Sequence, residues 1–186
     1  DAHLASTDTV VGGDGTDTVT ADIDADYTAN LVSIERVTFD LNNGVEADLS
    51  AVTSIERVTM TGDAAADEAT VSGIASGATV RIGDNDIIAN IDTVDGASIT
   101  IDERETNARE LTVTDAVSVT ITTDNAGTNG DFYNVVLDAT DTTTLTVTGS
   151  ANGDTLDIGN VTGTNALASL SAASSTATGT VVVGTV

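Results

Sequence analysis

The sequence of 186 residues has no proline, cysteine, tryptophan or lysine, and it has only four aromatic residues. Large aromatic side chains usually supply much of a globular core, so any core here must come from Val, Ile, Leu and Ala. No run of about 18 apolar residues occurs, and the sequence therefore predicts no transmembrane helix and no membrane insertion. The lack of cysteine fits proteins that are exported in one step without disulfides. No N-terminal signal is recognisable, and because the chain starts at Asp1 we expect a processed product or an excised fragment.

Basic residues are also scarce. Acidic residues outnumber them 30 to 5, which gives a formal net charge of −25, and all five cations are arginines. Such a surface repels nucleic acid and anionic lipid, so neither is an expected partner. Its self-repulsion also destabilises the compact state unless counter-ions bind. Divalent cation sites, adaptation to salt water and simple solubility all remain open, and we favour cation sites because the acids fall at turns beside Gly and Asn.

The abundant residue is threonine, which occurs 34 times. Together with Val and Ile it is branched at Cβ, and such side chains suit the pleated surface of a strand better than a helix. Composition therefore predicts an all-β protein.

An internal repeat gives the architecture. Ser33 to Thr38 (SIERVT) recurs unchanged at Ser54 to Thr59. Apolar residues also recur in alternating pairs about every 10 residues, and each pair predicts the inward half of a short strand. The pairs are Val37/Phe39, Ala47/Leu49, Val58/Met60, Val80/Ile82, Ile99/Ile101, Leu111/Val113, Val119/Ile121, Val135/Leu137, Leu145/Val147, Leu156/Ile158 and Val181/Val183, with Val71 and Ile91 as weaker members.

Two strands in each repeat of about 20 residues form one turn of a flattened coil, because Gly, Asn and Asp between the pairs allow the chain to reverse. We expect an all-β, right-handed parallel β-solenoid of about seven turns of roughly 20 residues, although a sandwich or barrel stays open. Ile34 and Ile55 have the wrong parity for the strands that follow, which predicts a corner after each. Stacking in register would place Glu35 near Glu56 and Arg36 near Arg57.

We expect residues 1–186 to form a single solenoid domain, or a fragment of a longer surface protein. No proline-rich or serine-rich linker divides the chain. The segment 166–178 (ALASLSAASSTAT) is low in complexity, and we predict a loop there, with one short helix as the alternative.

The most specific motif is the nonapeptide from Gly12 to Thr20 (GGDGTDTVT), which matches the calcium repeat G-G-x-G-x-D-x-U-x at every defined position. Its glycines permit a tight turn whose carbonyls face one ion, and its Asp adds a carboxylate to the oxygen shell that calcium requires. Asp8 to Val11 fit the end of another such repeat directly upstream. A relaxed copy runs from Gly149 to Asp157.

These residues resemble the RTX family of calcium-binding β-rolls, and more closely its bacterial S-layer branch, in which such loops alternate with Thr-rich strands and S-I-E segments. The resemblance implies that calcium is held by the backbone carbonyls of Gly12 and Asp14 and the carboxylate of Asp17, with Asp8 on an adjoining loop. It implies that Asp154 takes the role of Asp17 in the relaxed copy, where Asp157 is a further candidate ligand. It also implies type I secretion, and folding on contact with external calcium.

Two features limit the metal prediction. One turn after Gly12, the segment 30–33 is no second nonapeptide loop, so a single loop with help from Asp22, Asp24 or water is the open alternative. The run Asp22-x-Asp24-x-Asp26 begins like an EF-hand loop, but Tyr27 replaces the required Gly and Ser33 the required Glu. A shared exposed strand face is the competing interpretation of the three Asp.

Enzyme function is not expected, because no carboxylate pair stands out, Lys is absent and the only His is terminal. The sequence instead predicts a secreted structural protein of the extracellular cell surface that forms an S-layer by calcium-dependent self-assembly. Its expected partners are copies of itself, and a cell-surface polysaccharide reached through another domain. The alternative is a stalk or repeat segment of a large calcium-binding RTX adhesin or filament.

Overall fold

The computed structural model describes residues 3–62, 68–83, 87–103, 110–123, 131–137, 143–149, 155–162, 168–174 and 180–183. These residues form β-strands and turns but no helix. The strands are β1 (Val10–Val11), β2 (Thr18–Ile23), β3 (Tyr27–Thr28), β4 (Leu31–Val32), β5 (Arg36–Leu41), β6 (Val45–Asp48), β7 (Arg57–Thr61), β8 (Glu68–Ile74), β9 (Thr79–Ile82), β10 (Ile88–Glu103), β11 (Glu110–Thr123), β12 (Asp131–Leu137), β13 (Thr144–Gly149), β14 (Thr155–Thr162), β15 (Ser169–Ser174) and β16 (Thr180–Val183).

All pairings between these strands are parallel. Fourteen of the strands build two walls, and β1 and β4 form a separate two-stranded sheet. Wall 1 stacks β2, β5, β7, β9, the second halves of β10 and β11, β13 and β15. Wall 2 stacks β3, β6, β8, the first halves of β10 and β11, β12, β14 and β16. The predicted all-β parallel solenoid is confirmed, while its handedness stays a prediction.

The repeat length follows from the register of wall 1. Between positions 18 and 123 the coil makes about five turns, and the count of about seven turns for the whole chain stays a prediction. Successive inward partners in this part recur at nearly even intervals, and they are Val19, Val37, Val58, Val80, Ile101 and Ile121. Beyond it the spacing widens, because the next partner, that of Ile121, is Val147. A single uniform repeat therefore does not describe the whole chain.

The interior consists of aliphatic rows that run along the coil axis. Nine of the eleven predicted inward pairs, from Val37/Phe39 to Leu145/Val147, are at most 3% exposed, and Val71 and Ile91 are buried with them. The other two pairs lie outside the residues whose side chains are described. Buried apolar side chains of both walls form one cluster. Alternation with period 2 thus correctly identified which side chains face inward.

Positive φ angles mark where the chain changes direction. Ser33 has a φ of 52° and turns the chain between β4 and β5, one residue before the buried Ile34, whereas the sequence placed the corner after Ile34. The long strands β10 and β11 bend between their two halves, at Gly96 with a φ of 76° and at Asp115 with a φ of 62°. Each of these strands can therefore contribute to both walls without leaving the ladder.

The segment before β2 covers the first turn of the coil. His3 forms a parallel bridge with Asp22, and the Ser6 hydroxyl accepts a hydrogen bond from the Thr28 backbone N–H at 3.0 Å. Further along, β1 pairs with β4, Val10 with Leu31. These contacts pair the edge that β2 and β4 present on this side of the coil.

One sequence prediction needs correction. Ser169–Ser174 form β15, inside the segment 166–178 for which we predicted a loop or a short helix. The strand pairs with β13, and Leu145 aligns with Leu170. Small Ala and Ser side chains hide the strand signal in the sequence, and pairing with an existing wall supplies the order that local propensity does not.

Replacing a core side chain tests the two-wall packing. Phe39 is fully buried, and its ring meets that of Tyr27 edge to face, with centroids 6.0 Å apart. We expect Phe39→Ala to lower the free energy of unfolding by about 3–5 kcal/mol, measured by urea titration. Thr38→Ala, on the outward face of the same strand, should change it by less than about 1 kcal/mol. Equal effects of the two substitutions would contradict the inward assignment of Phe39.

Candidate metal site

The nonapeptide loop, residues 12–17, connects β1 to β2 and lies against the Ser33 corner of the next turn. At its start, the Gly12 N–H donates to the Val32 carbonyl at 2.9 Å. At its end, the Asp17 carbonyl accepts hydrogen bonds from the backbone N–H groups of Glu35 and Arg36 at 3.3 and 3.1 Å. The loop is therefore held at both ends by the chain around the first S-I-E segment.

Gly12 makes the closest backbone approach in the loop. A Cβ placed on it would stand 2.1 Å from the Ser33 carbonyl oxygen and 2.7 Å from Asp17 Oδ2. No side chain fits at that distance, so glycine is required here by space. The Ser33 carbonyl and the Asp17 carboxylate consequently flank the same small region next to the Gly12 backbone.

The Asp17 carboxylate lacks a protein partner on one side. Its Oδ2 atom is buried and has no hydrogen-bond partner among the described residues. The Asp17 backbone N–H donates to Glu35 Oε2 at 2.8 Å, which brings a second carboxylate beside the loop. A buried carboxylate oxygen without a partner is costly, and it is normally satisfied by a donor or a cation.

These features fit a hard cation. The buried Asp17 oxygen offers negative charge, and the Ser33 carbonyl beside it offers the neutral oxygen that calcium also accepts. Within the described residues, no three His, Asp or Glu side chains gather closely enough to form a metal cluster by themselves. Any ion held here would therefore depend on backbone carbonyls and water for most of its ligands.

Two other predicted ligands on this side of the molecule do not join that carboxylate. The Asp8 carboxylate accepts a hydrogen bond from the Ala5 N–H at 3.0 Å and so closes the turn 5–8. Asp8 also lies near Tyr27, whose pKa is raised overall. Burial is the largest cause; a hydrogen bond with the Asn30 backbone lowers the pKa in part, and the charge of Asp8 adds to the rise. The side chain of Asp14 is exposed, and the resemblance assigns the role of ligand to its backbone carbonyl.

The relaxed nonapeptide copy is only partly visible. Asp154 lies outside the described residues, so its predicted role as a ligand stays a prediction. Asp157 lies within β14, where it pairs with Asp131 on one side and Val182 on the other. The backbone of Asp157 is thus part of the hydrogen-bonded ladder of wall 2, whereas Asp17 lies in the loop before β2.

The three Asp of segment 22–26 are neither an EF-hand loop nor one strand face. Asp22 lies on the outer face of β2, beside Asp40 of β5. Asp24 lies in the turn that follows, where it accepts a hydrogen bond from Asn42 Nδ2 at 2.6 Å and lies 2.7 Å from His3 Nδ1. Asp26 Oδ1 accepts the Glu46 N–H at 3.2 Å. Asp22 and Asp24 line one pocket together with Asp40, whereas Asp26 contacts the backbone of β6.

The sequence did not reveal the part played by Glu35 and the Ser33 carbonyl. Both belong to the S-I-E segment, which we interpreted as a structural repeat with a ladder of charges. Glu35 follows Asp17 by close to one repeat, and that spacing was the available signal. The predicted stacking of Arg36 on Arg57 is confirmed.

Comparison with protein-family models, with curated proteins and with solved structures finds no match. The resemblance to the RTX family stays a prediction from the nonapeptide and the S-I-E segments. In the described part of the chain there is no helix of the length and apolarity needed to cross a membrane.

The contact at Gly12 can be tested by adding one methyl group. We expect Gly12→Ala to destabilise the fold by about 3 kcal/mol or more, because the clashing atom is a backbone oxygen. Gly83→Ala is the matched control, since the nearest atom to its new Cβ is the Thr59 methyl at 3.1 Å, which can shift. Thermal unfolding without added metal measures both. A Gly12→Ala variant as stable as the control would contradict the close approach of Gly12 to the Ser33 carbonyl.

Proposed function

We propose that this chain is a structural component of a bacterial surface layer on the outside of the cell, and that it binds calcium at the nonapeptide loop. The observation that carries the calcium part is the buried, unpartnered Asp17 Oδ2 beside the Ser33 carbonyl. Asp17 would hold the ion together with that carbonyl, and with the carbonyls of Gly12 and Asp14 that the resemblance implies. Calcium would place a positive charge next to this buried carboxylate oxygen.

The location of the loop explains why calcium would matter for the whole molecule. The loop joins the covering segment 3–11 to β2, and the S-I-E corner holds it. An ion between loop and corner would tie the cover to the first turns, and turns of a solenoid stabilise only their neighbours. It would also offset part of the net charge of −25.

The surface-layer part of the proposal draws on the same repeats. A parallel coil offers long, regular outer faces suited to repeated contacts between copies. The proposal extends the coil to about seven right-handed turns, supported by the continuation of both walls through β12, β13, β14, β15 and β16. It gives the chain no catalytic role, in keeping with its lack of Lys and its four aromatic residues. Asp154 and Asp157 remain proposed ligands of a second site.

Replacement of Asp17 by Asn distinguishes two effects of its carboxylate: the loss of stability without calcium and the gain of stability when calcium binds. Without calcium, Asp17→Asn should be as stable as the parent or more so, because it removes the cost of a buried carboxylate oxygen that has no partner among the described residues. With calcium at 100 times the dissociation constant, the parent should gain about 2.7 kcal/mol, and the variant should gain far less. Thermal unfolding in chelator and in calcium measures both effects.

Asp14→Asn is the control, because its side chain is exposed and its carbonyl is unchanged. It should keep the calcium gain of the parent chain. An Asp17→Asn variant with an unchanged calcium titration would exclude this site.

Assembly tests the surface-layer function directly. We expect the purified chain to form sheets or filaments in millimolar calcium, seen by electron microscopy and by sedimentation, because calcium both orders the first turns and reduces repulsion. Magnesium at the same concentration should be much less effective, since it gives up its water reluctantly and demands octahedral geometry. Calcium-dependent folding without assembly would favour the alternative, a stalk of a large adhesin. Monomers that respond equally to both ions would contradict both functions.

A further inference from the structure

Glu35 reaches back from its own turn of the coil to the nonapeptide loop. Its Oε2 atom accepts a hydrogen bond from the Asp17 backbone N–H at 2.8 Å, and the Glu35 backbone N–H donates to the Asp17 carbonyl at 3.3 Å. The residues that follow them, Thr18 and Arg36, are register partners on β2 and β5. Asp17 and Glu35 therefore lie one turn apart and are held side by side by contacts of the backbone and of a side chain.

Both carboxylates keep an oxygen that can bind a cation. Asp17 Oδ2 is buried and has no hydrogen-bond partner among the described residues. The hydrogen bond from the loop uses Glu35 Oε2, and a carboxylate has about four lone-pair sites on its two oxygens, so the Glu35 carboxylate has capacity left. Glu35 is also only half-buried, which leaves it accessible to an ion from solvent.

The second S-I-E segment has the same sequence but lies against no glycine-rich loop. The Glu56 N–H donates to the Glu35 carbonyl at 2.8 Å, which repeats the backbone contact between Glu35 and Asp17. Glu56 is nevertheless exposed, because the residue one turn before it is Glu35 and not the end of the nonapeptide loop. The contact between the Glu35 side chain and the loop thus depends on the loop as well as on the S-I-E sequence.

We propose that Glu35 is the second carboxylate ligand of the calcium site, so that the S-I-E corner completes the site where the sequence has no second nonapeptide loop. This inference rests on the proposed calcium binding and names a ligand for it. Calcium takes 6 to 8 oxygen ligands, and carboxylates, backbone carbonyls and water all serve. Asp17 and Glu35 would supply the negative charge, and the Ser33 carbonyl beside Asp17 a neutral oxygen.

The small number of acidic ligands makes each of them important. Among the described residues, no group of three His, Asp or Glu side chains is close enough to hold a metal ion. A divalent cation at this loop would therefore find its two negative charges on Asp17 and Glu35. Because calcium affinity depends on the number of charged ligands, loss of either carboxylate should weaken binding strongly.

Glu35→Gln tests the charge while it preserves the contact. The glutamine amide oxygen can still accept the Asp17 N–H, so a Glu35 with only a structural role should tolerate the change. We expect the dissociation constant for calcium to rise at least about tenfold, measured by competition with a chromophoric chelator. Without calcium, the midpoint of thermal unfolding should not fall by more than about 3 °C.

Glu56→Gln is the matched control, because it makes the same change in net charge within the same SIERVT sequence. Its charge acts on the site only from a distance and through salt, so the dissociation constant should stay within about twofold of the parent value. Equal losses of affinity in the two variants would mean that the overall charge matters, and would overturn the assignment of Glu35 as a ligand.

Terbium gives a readout that reports the ligands themselves. The ion also prefers oxygen ligands, and its luminescence lifetimes in H2O and D2O give the number of water molecules bound to it. Glu35→Gln should raise that number by about one or two, because water replaces the missing carboxylate oxygens. Glu56→Gln should leave it unchanged, and so would a change in Glu35 that affected only folding.

The outcomes separate this inference from the proposed function. If Asp17→Asn loses calcium binding while Glu35→Gln keeps the affinity and the water count of the parent, Glu35 is not a ligand and the proposed site stands. If Glu35→Gln does not fold, as judged by circular dichroism, Glu35→Asp replaces it, and its shorter side chain should weaken calcium binding in the same direction. A parent chain that binds no calcium overturns both proposals.

Discussion

Parallel stacking in register is the constraint on which the rest of this structure depends. Each residue has as its neighbour the equivalent residue of the turn before and the turn after, at about 4.8 Å. Inside the coil this produces continuous aliphatic rows such as Val37, Val58 and Val80, and a core without tryptophan becomes possible because every turn is thin. The interior is thus built by repetition of small β-branched and aliphatic residues, and the few aromatic rings are not needed along most of its length.

The same constraint makes the contacts between successive turns decisive. The turn from β2 to β4 contacts the segment 3–11 on one side and the turn that contains β5 on the other. That loop is held by hydrogen bonds from the S-I-E corner, and it places the buried Asp17 oxygen between the cover and the second turn. A cation at Asp17 would therefore act at a contact between two successive turns.

Sequence reasoning succeeded where period and register dominate. Alternation identified the inward pairs, and the repeated SIERVT segment predicted the stacking of Arg36 on Arg57. It failed where the backbone departs from the repeat: the spacing widens after Ile121, and Asp115 bends a strand that continues into the other wall. Glu35 was missed for a related reason, since contact between a side chain and a loop of another turn depends on corner geometry that no periodicity contains.

Stacking like on like also restricts what the outer faces can carry. A charged residue repeated in successive turns forms a column of groups that repel each other, whereas a column of Thr does not. One outward column of wall 1 accordingly consists of Thr79, Thr100, Thr120 and Thr146. Elsewhere the charges alternate with a partner, as when Thr114 donates to Asp92 or when Arg81 binds Asp102. In wall 1 the register also aligns Asp22 with Asp40 and Arg36 with Arg57, and both pairs lie in the first turns. Parallel stacking in register thus brings like charges together wherever the sequence repeats them, and each such pair costs stability that a column of Thr does not.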